Sequence, residues 1–397
     1  MRILFAGGGT GGHVTPAIAL ADEVRRSIPE AEILFVGSRR GPETGMVPKA
    51  GYPLQTLRVI GFRRAFSVDT FKFPLALAAA MVQAARVVDR FRPDLVIGTG
   101  GYASGPVALL AAMYGIPLAV HEQNSYPGVT TRLLARRASQ VFLTYPESVG
   151  HFRSRRRLYV CGNPVRGAIG GVDRATAVAR LGLDGSRQTL MVTGGSQGAH
   201  RINEALLDAL PRLARLQTLQ IVWHTGKRDY QLVKEEARRH TLPILVQDFI
   251  DDMPSAYAAA DLLVSRAGAN TLAEFTVCGL PAILIPLPTA AAHHQETNAR
   301  VLADAGAACV LVEQALTGQE LAEQIIGLLQ DPGRLEEMRR ASSALGRPDA
   351  ARRIVDLLLR HQSLAANQPR SRQSRPSADG FTEARCSETS RESISWA

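Results

Sequence analysis

A histidine closes a run of glycines near the start of the chain, Gly7-Gly8-Gly9-Thr10-Gly11-Gly12-His13. An imidazole titrates near neutral pH, so His13 is a candidate general base or a contact to a reacting sugar. A plainer role is equally open, in which the ring only caps or orients the loop. The glycines let the backbone bend tightly and let a phosphate or sugar come close. A helix expected to begin at Thr15-Pro16 would present its N-terminus to negative charge. Gly7, Gly9 and Gly12 match the spacing of the dinucleotide fingerprint. That fingerprint also needs an acidic residue at the end of the second strand, where this chain has Gly37-Ser38-Arg39-Arg40. Arginines there suit a 2′-phosphate, so an NADP oxidoreductase stays open on this motif alone.

Five further segments can bind or react. Gly98-Thr99-Gly100-Gly101-Tyr102-Ala103-Ser104-Gly105-Pro106 is a second glycine-rich turn between a strand and a helix. Two such turns in one half suggest a surface built for phosphates, or else tight packing of strand on helix. His121-Glu122-Gln123-Asn124 puts four polar residues at the end of an apolar strand, which is costly unless they are used or partnered. In Gly194-Gly195-Ser196-Gln197-Gly198-Ala199, backbone N–H groups and the Ser196 hydroxyl could hold a diphosphate. Ser265 to Glu274 runs from a strand into a helix, with Glu274 placed to accept the two hydroxyls of a ribose or to complement the helix dipole. His294-Gln295-Glu296-Thr297-Asn298-Ala299 offers amides that suit sugar hydroxyls. Asp251-Asp252 hints at a metal, but a helix cap is the simpler account.

The elements that must position these groups alternate. Strands are expected at Ile3–Ala6, Glu32–Val36, Leu95–Ile97, Leu118–His121 and Gln140–Leu143, then at Thr189–Val192, Gln220–His224, Ile244–Val246, Leu262–Ser265 and Ala282–Ile285. Amphipathic helices are expected between them, as at 16–27, 73–90 and 203–216. This alternation predicts an α/β protein with parallel sheets covered on both faces. Ligands then gather at the carboxyl ends of the strands. The Gly162-Asn163-Pro164-Val165-Arg166 segment reads as the break, giving domains at 1–162 and 163–345, a C-terminal helix at 346–363 and a disordered tail at 364–397.

Composition narrows the class. The 397 residues are 46% hydrophobic and suit two domains with ample cores. The four cysteines are scattered, without metal or redox spacing, which predicts a reducing compartment. The first residues hold too few apolar side chains for a signal peptide, and the longest apolar stretches, 73–85 and 106–120, fall short of a membrane span. The net charge is +10. Residues 1–157 hold 20 Lys/Arg against 10 Asp/Glu, and the remainder balances at 26 of each. The first half is thus expected to face an anionic partner: nucleic acid, anionic lipid or a pyrophosphate substrate.

Taken in order, GGGTGGH, GTGGYASGP, HEQN, GNPVR, GGSQGA, DFIDDM, SRAGANTLAE and HQETNA resemble the bacterial transferase family of peptidoglycan synthesis that adds N-acetylglucosamine (GlcNAc) to lipid I, giving lipid II. The resemblance covers roughly residues 1–360. It implies two facing Rossmann-like domains of the GT-B type with a deep cleft between them. It implies an inverting transfer without cofactor or bound metal, from UDP-GlcNAc to the C4 hydroxyl of N-acetylmuramic acid (MurNAc). By motif, the donor site comprises Thr10, Gly11, Gly12, Asn124, Arg166, Ser196, Ile250, the run Ala269, Asn270, Thr271, Leu272, Ala273 and Glu274, and Gln295. His13 is the catalytic candidate, taking the proton of the acceptor hydroxyl. Ile250 would lie by the uracil, Glu274 by the ribose, Ser196 and Arg166 by the diphosphate, and Gln295 by the GlcNAc hydroxyls. His293 stands where the family's last motif usually has an acidic residue, which removes any contact that carboxylate makes.

The charge asymmetry fits a lipid pyrophosphate acceptor and a peripheral position on the cytoplasmic face of the inner membrane. Arg63, Arg64, Lys72, Arg132, Arg136 and Arg137 flank the apolar residues Phe66, Phe71, Phe73, Leu75 and Leu77. Cations rimming apolar side chains suit an anionic membrane surface, though an ordinary amphipathic helix with a basic face looks the same. The His151–Arg157 cluster adds charge without a clear place. No nucleic acid is expected, because aromatics are not interleaved with the cations as in a stacking platform. A UDP-GlcNAc 2-epimerase of the same architecture is the alternative enzyme.

Overall fold

The computed structural model describes residues 1–59, 68–290 and 293–367. Apolar runs three to seven residues long form the strands in both halves, and the central ones, such as β4 and β11, are covered on both faces. The first half runs β1 (Arg2–Gly7), α1 (Gly11–Ser27), β2 (Glu32–Ser38), α2 (Glu43–Lys49), β3 (Leu54–Leu57), α3 (Val68–Phe91), β4 (Leu95–Gly100), α4 (Ser104–Met113), β5 (Leu118–Glu122), α5 (Val129–Leu134), β6 (Gln140–Leu143) and β7 (Leu158–Val160). The second half runs α6 (Arg174–Leu181), β8 (Gln188–Thr193), α7 (His200–Leu213), β9 (Leu219–His224), α8 (Tyr230–Ala237), β10 (Ile244–Gln247), α9 (Met253–Ala259), β11 (Leu262–Ser265), α10 (Ala269–Val277), β12 (Ala282–Leu284), α11 (His294–Asp304), β13 (Ala308–Val310), α12 (Gly318–Leu329) and α13 (Pro332–Leu345). Helix α14 (Ala350–Asn367) follows.

Each half holds one wholly parallel sheet. The orders are β3-β2-β1-β4-β5-β6-β7 and β10-β9-β8-β11-β12-β13. The chain therefore reverses direction between β1 and β4 in the first sheet and between β8 and β11 in the second. Crevices for ligands open at such switch points, outside the carboxyl ends of the strands. The four glycine-bearing turns that follow β1, β4, β8 and β11 all sit there. One core packs around Leu4, Val96, Val107 and Val120, and two more around Leu206, Trp223 and Ile325 and around Tyr257, Phe275 and Leu302.

Met1–Leu358 form one compact unit that contains both sheets. The start of α14 returns to the first half. Gln140 Nε2 donates to the carbonyl of Leu357 at 3.2 Å, and Gly162 faces Arg347 and Ala350 so closely that an added Cβ would fall 2.6 Å from Arg347 Cβ. The tail expected from residue 364 lies largely outside the described residues.

The structure differs from the sequence expectation in three strands and in helix bounds: α3 and α7 begin at Val68 and His200 rather than at 73 and 203, and the last helix is Ala350–Asn367 rather than 346–363. Strands β3, β7 and β13 were not among the expected elements. All three are short strands at sheet edges, where one side needs no partner and the apolar run can shrink. Helix α1 begins at Gly11, five residues before Pro16. Pro16 thus lies inside the helix and leaves the Gly12 carbonyl without its usual donor. Asp252 does act as a helix cap, accepting from Ser255 N at the start of α9.

Candidate active site

The turn after β1 is shaped by what surrounds it. A Cβ on Gly7 would fall 2.1 Å from Thr99 Oγ1. A Cβ on Gly8 would fall 2.2 Å from Glu43 Oε1. The buried Glu43 carboxylate accepts from Gly9 N at 3.0 Å and from Ser38 N and Oγ at 2.6 and 2.7 Å. Glu43 was not singled out by the sequence, and it is what ties the first turn to the end of β2. It occupies the region where a dinucleotide enzyme would hold a ribose, with its oxygens already committed.

His13 lies in the first turn of α1 and is half-buried. Its backbone carbonyl accepts from Thr99 Oγ1 at 2.8 Å, and its Nδ1 is 3.1 Å from Gln123 Oε1. Gly100, at φ +102°, makes room for the ring: a Cβ there would fall 2.7 Å from Nδ1. Burial holds the His13 imidazole below its ordinary pKa, opposed by the nearby Glu122 carboxylate and assisted by His294. The lowering favours the neutral ring, the form a base needs. His294 opens α11 in the second half, so His13 stands close to both halves.

The His-Glu-Gln-Asn segment divides its labour. Glu122 accepts from Asn124 N at 3.1 Å, Asn124 Nδ2 at 3.2 Å and Gly128 N at 3.0 Å. Asn124 Oδ1 accepts from Asn298 Nδ2 at 3.2 Å. Asn298 Oδ1 in turn accepts from Ser125 N and Oγ at 2.9 and 2.8 Å. Asn298 was expected to offer its amide to a sugar, but that amide is spent on Ser125 and Asn124; Ser125 was not singled out, because the contact spans 173 residues of chain.

Other residues join the two halves at the mouth of the first turn. Asn270 Nδ2 donates to the carbonyl of Gly11 at 3.1 Å, while Asn270 Oδ1 accepts from Asn163 Nδ2 at 2.9 Å. A Cβ on Gly11 would reach Ser196 Oγ at 3.9 Å. The glycine turn of the first sheet and the Ser196 turn of the second therefore face each other, with Thr10 and Ser196 both exposed.

The remaining donor candidates fall as follows. Ile250 and Leu272 are buried in the second-half core, so only their backbone is offered to a ligand. Ala269 is also buried, while Thr271, Ala273 and Glu274 are half-buried along α10. Glu274 Oε2 accepts from Tyr257 Oη at 3.0 Å, and burial raises its carboxyl to about 7 against the lowering effect of that bond. Gln295 Oε1 accepts from Leu287 N at 2.9 Å, which fixes its amide and leaves Nε2 as the end available to a ligand. Arg166 is exposed and pairs with Asp22 Oδ2 at 3.5 Å, and the same Asp22 accepts from Tyr52 Oη. His293 caps α11 at φ +53° with its side chain exposed.

Of the membrane-facing candidates, Arg63 and Arg64 lie outside the described residues. Phe71, Lys72 and Phe73 lie on α3, where the backbone alone is described. Arg136 is exposed on a cavity of about 550 Å³ whose lining is largely apolar and includes Leu77, Met81, Tyr102, Leu109 and Leu133. A neighbouring groove of about 740 Å³ shares Leu133 and Arg136 and adds Arg132, His151, Arg153, Arg156 and Arg157. The 151–157 cluster thus lies beside the apolar cavity. Among the described residues no helix is long and apolar enough to cross a membrane, and no group of three or more His, Cys, Asp or Glu side chains stands where it could hold a metal ion.

Two doubly wound sheets with glycine-bearing turns at their switch points form the two-domain architecture of the GT-B fold. The glycosyltransferase family 28 N-terminal domain matches residues 3–143 and the family 28 C-terminal domain matches residues 189–354. The chain belongs to glycosyltransferase family 28. It is similar to a UDP-N-acetylglucosamine–N-acetylmuramyl-(pentapeptide) pyrophosphoryl-undecaprenol N-acetylglucosamine transferase of Desulfitobacterium hafniense, with 44% identity over 90% of this chain and 99% of that protein. Its fold superposes on the crystal structure of Acinetobacter baumannii MurG with a TM-score of 0.71 and 29% identity, over 90% of this chain and 99% of the other. It also superposes on a UDP-GlcNAc 2-epimerase from Neisseria meningitidis with a TM-score of 0.63, over 91% and 100%, but at 14% identity. The last likeness is one of fold alone.

Proposed function

We propose that the protein transfers GlcNAc from UDP-GlcNAc to the C4 hydroxyl of MurNAc in the undecaprenyl-pyrophosphoryl MurNAc-pentapeptide, lipid I, giving lipid II with a β(1→4) bond. The observation that carries the reading is the place of His13, in a turn that meets the Ser196 and Asn270 turns of the other half. Near-full-length similarity to a transferase named for this reaction supports the substrates.

The acceptor hydroxyl attacks C1 of GlcNAc on the face opposite UDP. His13 takes the hydroxyl proton as the new bond forms. UDP leaves with its electron pair, and its charge is met by the backbone N–H groups of the Gly194–Ala199 turn, the Ser196 hydroxyl and Arg166. Thr10, Gly11 and Gly12 line the reacting side. Backbone groups at Ile250 read the uracil edge, Glu274 accepts from the ribose hydroxyls, and the Gln295 amide donates to the sugar. Asn124 acts through the Asn298 contact that holds the two halves together. The boundary between the acceptor and donor domains is proposed at 162/163, between the last strand of the first sheet and the first of the second.

The basic groove and apolar cavity are proposed to meet the anionic inner-membrane surface and to bring the enzyme to its lipid acceptor from the cytoplasmic side. Neither feature serves a 2-epimerase, whose substrate is soluble. The discriminating experiment is UDP release with and without a lipid I analogue. Release that depends strictly on the acceptor supports the transferase. Conversion of UDP-GlcNAc to free N-acetylmannosamine without any acceptor would overturn it.

A further inference from the structure

Behind His13 stands a chain of buried hydrogen bonds whose direction is fixed by backbone carbonyls. Gln123 Nε2 lies 2.8 Å from the carbonyl of Thr99. A carbonyl only accepts, so the nitrogen end of the Gln123 amide must point there. The oxygen end then faces His13 Nδ1 at 3.1 Å and can only accept from it. Nδ1 must carry the hydrogen. Since one ring nitrogen of a neutral imidazole is bare, Nε2 holds the lone pair.

The far side of Gln123 is fixed in the same way. His121 Nε2 lies 3.2 Å from the carbonyl of Gly162 and so donates to it. His121 Nδ1 is then bare and accepts the second hydrogen of Gln123 Nε2 at 3.0 Å. His121, Gln123 and Thr99 are all buried, so water does not compete for these bonds. The order of donors runs one way, from Gln123 to His121 to Gly162, and from His13 to Gln123. Burial drives the His121 imidazole down to about 4, so it stays neutral and keeps this order across the physiological range.

We propose that Gln123, held by Thr99 and His121, is the positioning residue that fixes His13 as the Nδ1–H tautomer and leaves Nε2 bare for the acceptor hydroxyl. The proposal rests on the reading of His13 as the base. Without the Gln123 oxygen, the ring is free to place its hydrogen on Nε2, where it would meet the acceptor hydroxyl as a donor and accept no proton. The role is one of orientation, since Gln123 is buried behind the ring and does not reach the substrate. The anchor at Gly162 lies between the two sheets, so the tautomer of the base is tied to the segment that joins the halves.

The test is nitrogen-15 histidine labelling of the full chain, with two-bond proton–nitrogen correlation spectra at slightly alkaline pH and His13→Ala to assign the signal. In the native protein Nδ1 of His13 should be protonated and Nε2 bare. Gln123→Met should move hydrogen onto Nε2 and lower kcat about tenfold or more while KM for UDP-GlcNAc changes less than about twofold. Gln123→Glu, as the protonated acid, donates to the Thr99 carbonyl with one oxygen and accepts from Nδ1–H with the other, so it should keep the native tautomer and recover part of kcat. An Nε2–H tautomer in the native protein overturns the proposal even if no variant folds. So does an unchanged tautomer in a folded Gln123→Met. If His13→Ala turns over normally while the native tautomer is Nδ1–H, the base assignment fails and the tautomer result stands, which tells the two failures apart.

Discussion

Asn298 Oδ1 accepts from both the backbone N–H and the hydroxyl of Ser125, at 2.9 and 2.8 Å, and all of these groups are buried. The pair joins α11 of the second half to the segment that follows β5 in the first. Asn298 stands one helical turn from Gln295, proposed to hold the transferred sugar, and Ser125 two residues from Gln123, proposed to orient the base. The halves are thus brought together by the same motifs proposed to carry the chemistry.

Replacing Asn298 tests that junction. Asn298→Ala strands two buried donors on Ser125 and frees Asn124 Oδ1, which costs about 1–3 kcal/mol in folding stability. Chemical denaturation should show this loss, and kcat should fall with it. Unchanged stability would mean the contact is not made in solution.

His13→Ala removes the proposed base. A general base typically contributes about 10²–10⁴ in rate, so kcat should fall within that range while donor affinity stays near native. Calorimetry with UDP-GlcNAc separates the two effects. A loss of affinity with full turnover would remove the assignment.

Gly100→Ala tests whether His13 must stay where it is. The φ of +102° and the 2.7 Å approach to His13 Nδ1 leave no place for a methyl group unless the ring moves. A displacement of about 1 Å at a catalytic group can cost about 10²-fold in rate. Steady-state kinetics should show the fall in kcat, with KM for the donor little altered.

Glu274 predicts a pH dependence of donor binding. Its carboxyl is raised to about 7 by burial, while accepting two ribose hydroxyls requires the ionised form. UDP affinity should therefore strengthen as pH rises through neutrality and level off above it. Below that point it should weaken by up to about tenfold per pH unit. Glu274→Gln should bind UDP more weakly and lose this dependence. A flat profile in the native enzyme would separate Glu274 from the ribose. For catalysis the sign at His13 is similar: kcat/KM should fall on acidification, with a midpoint below the ordinary histidine value, because burial lowers that pKa.

Much of this was legible in the sequence, for reasons the structure makes plain. Strands such as β1, β4, β8 and β11 are central and fully covered, so their apolar runs stand out, and the glycine turns after them are local in sequence. The edge strands β3, β7 and β13 lack that signal. Pro16 misleads about the start of α1, because the glycine turn itself continues into the helix at Gly11. Within His121–Asn124 the family resemblance singles out Asn124, yet the residue that reaches His13 is Gln123, across 110 residues of chain. Glu43 is hidden for the same reason: its partners Gly9 and Ser38 become neighbours only when β1 and β2 pair.

The basic groove predicts that Arg136→Glu combined with Arg153→Glu weakens binding to anionic vesicles. Each basic residue near such a surface is worth about 1 kcal/mol, so the double reversal should cost tenfold or more in partition, about 1.4 kcal/mol per factor of ten. Sedimentation with vesicles of anionic and of neutral lipid measures it. Equal binding by the native and reversed proteins would sink the proposed membrane face.

The central claim is inverting transfer to a lipid-linked MurNAc. UDP-GlcNAc labelled in the sugar, incubated with the enzyme and a lipid I analogue, should give label in the lipid product, joined through a β(1→4) bond that proton coupling at the new anomeric centre identifies. Label found only in free sugar, or an α bond in the lipid product, would contradict it.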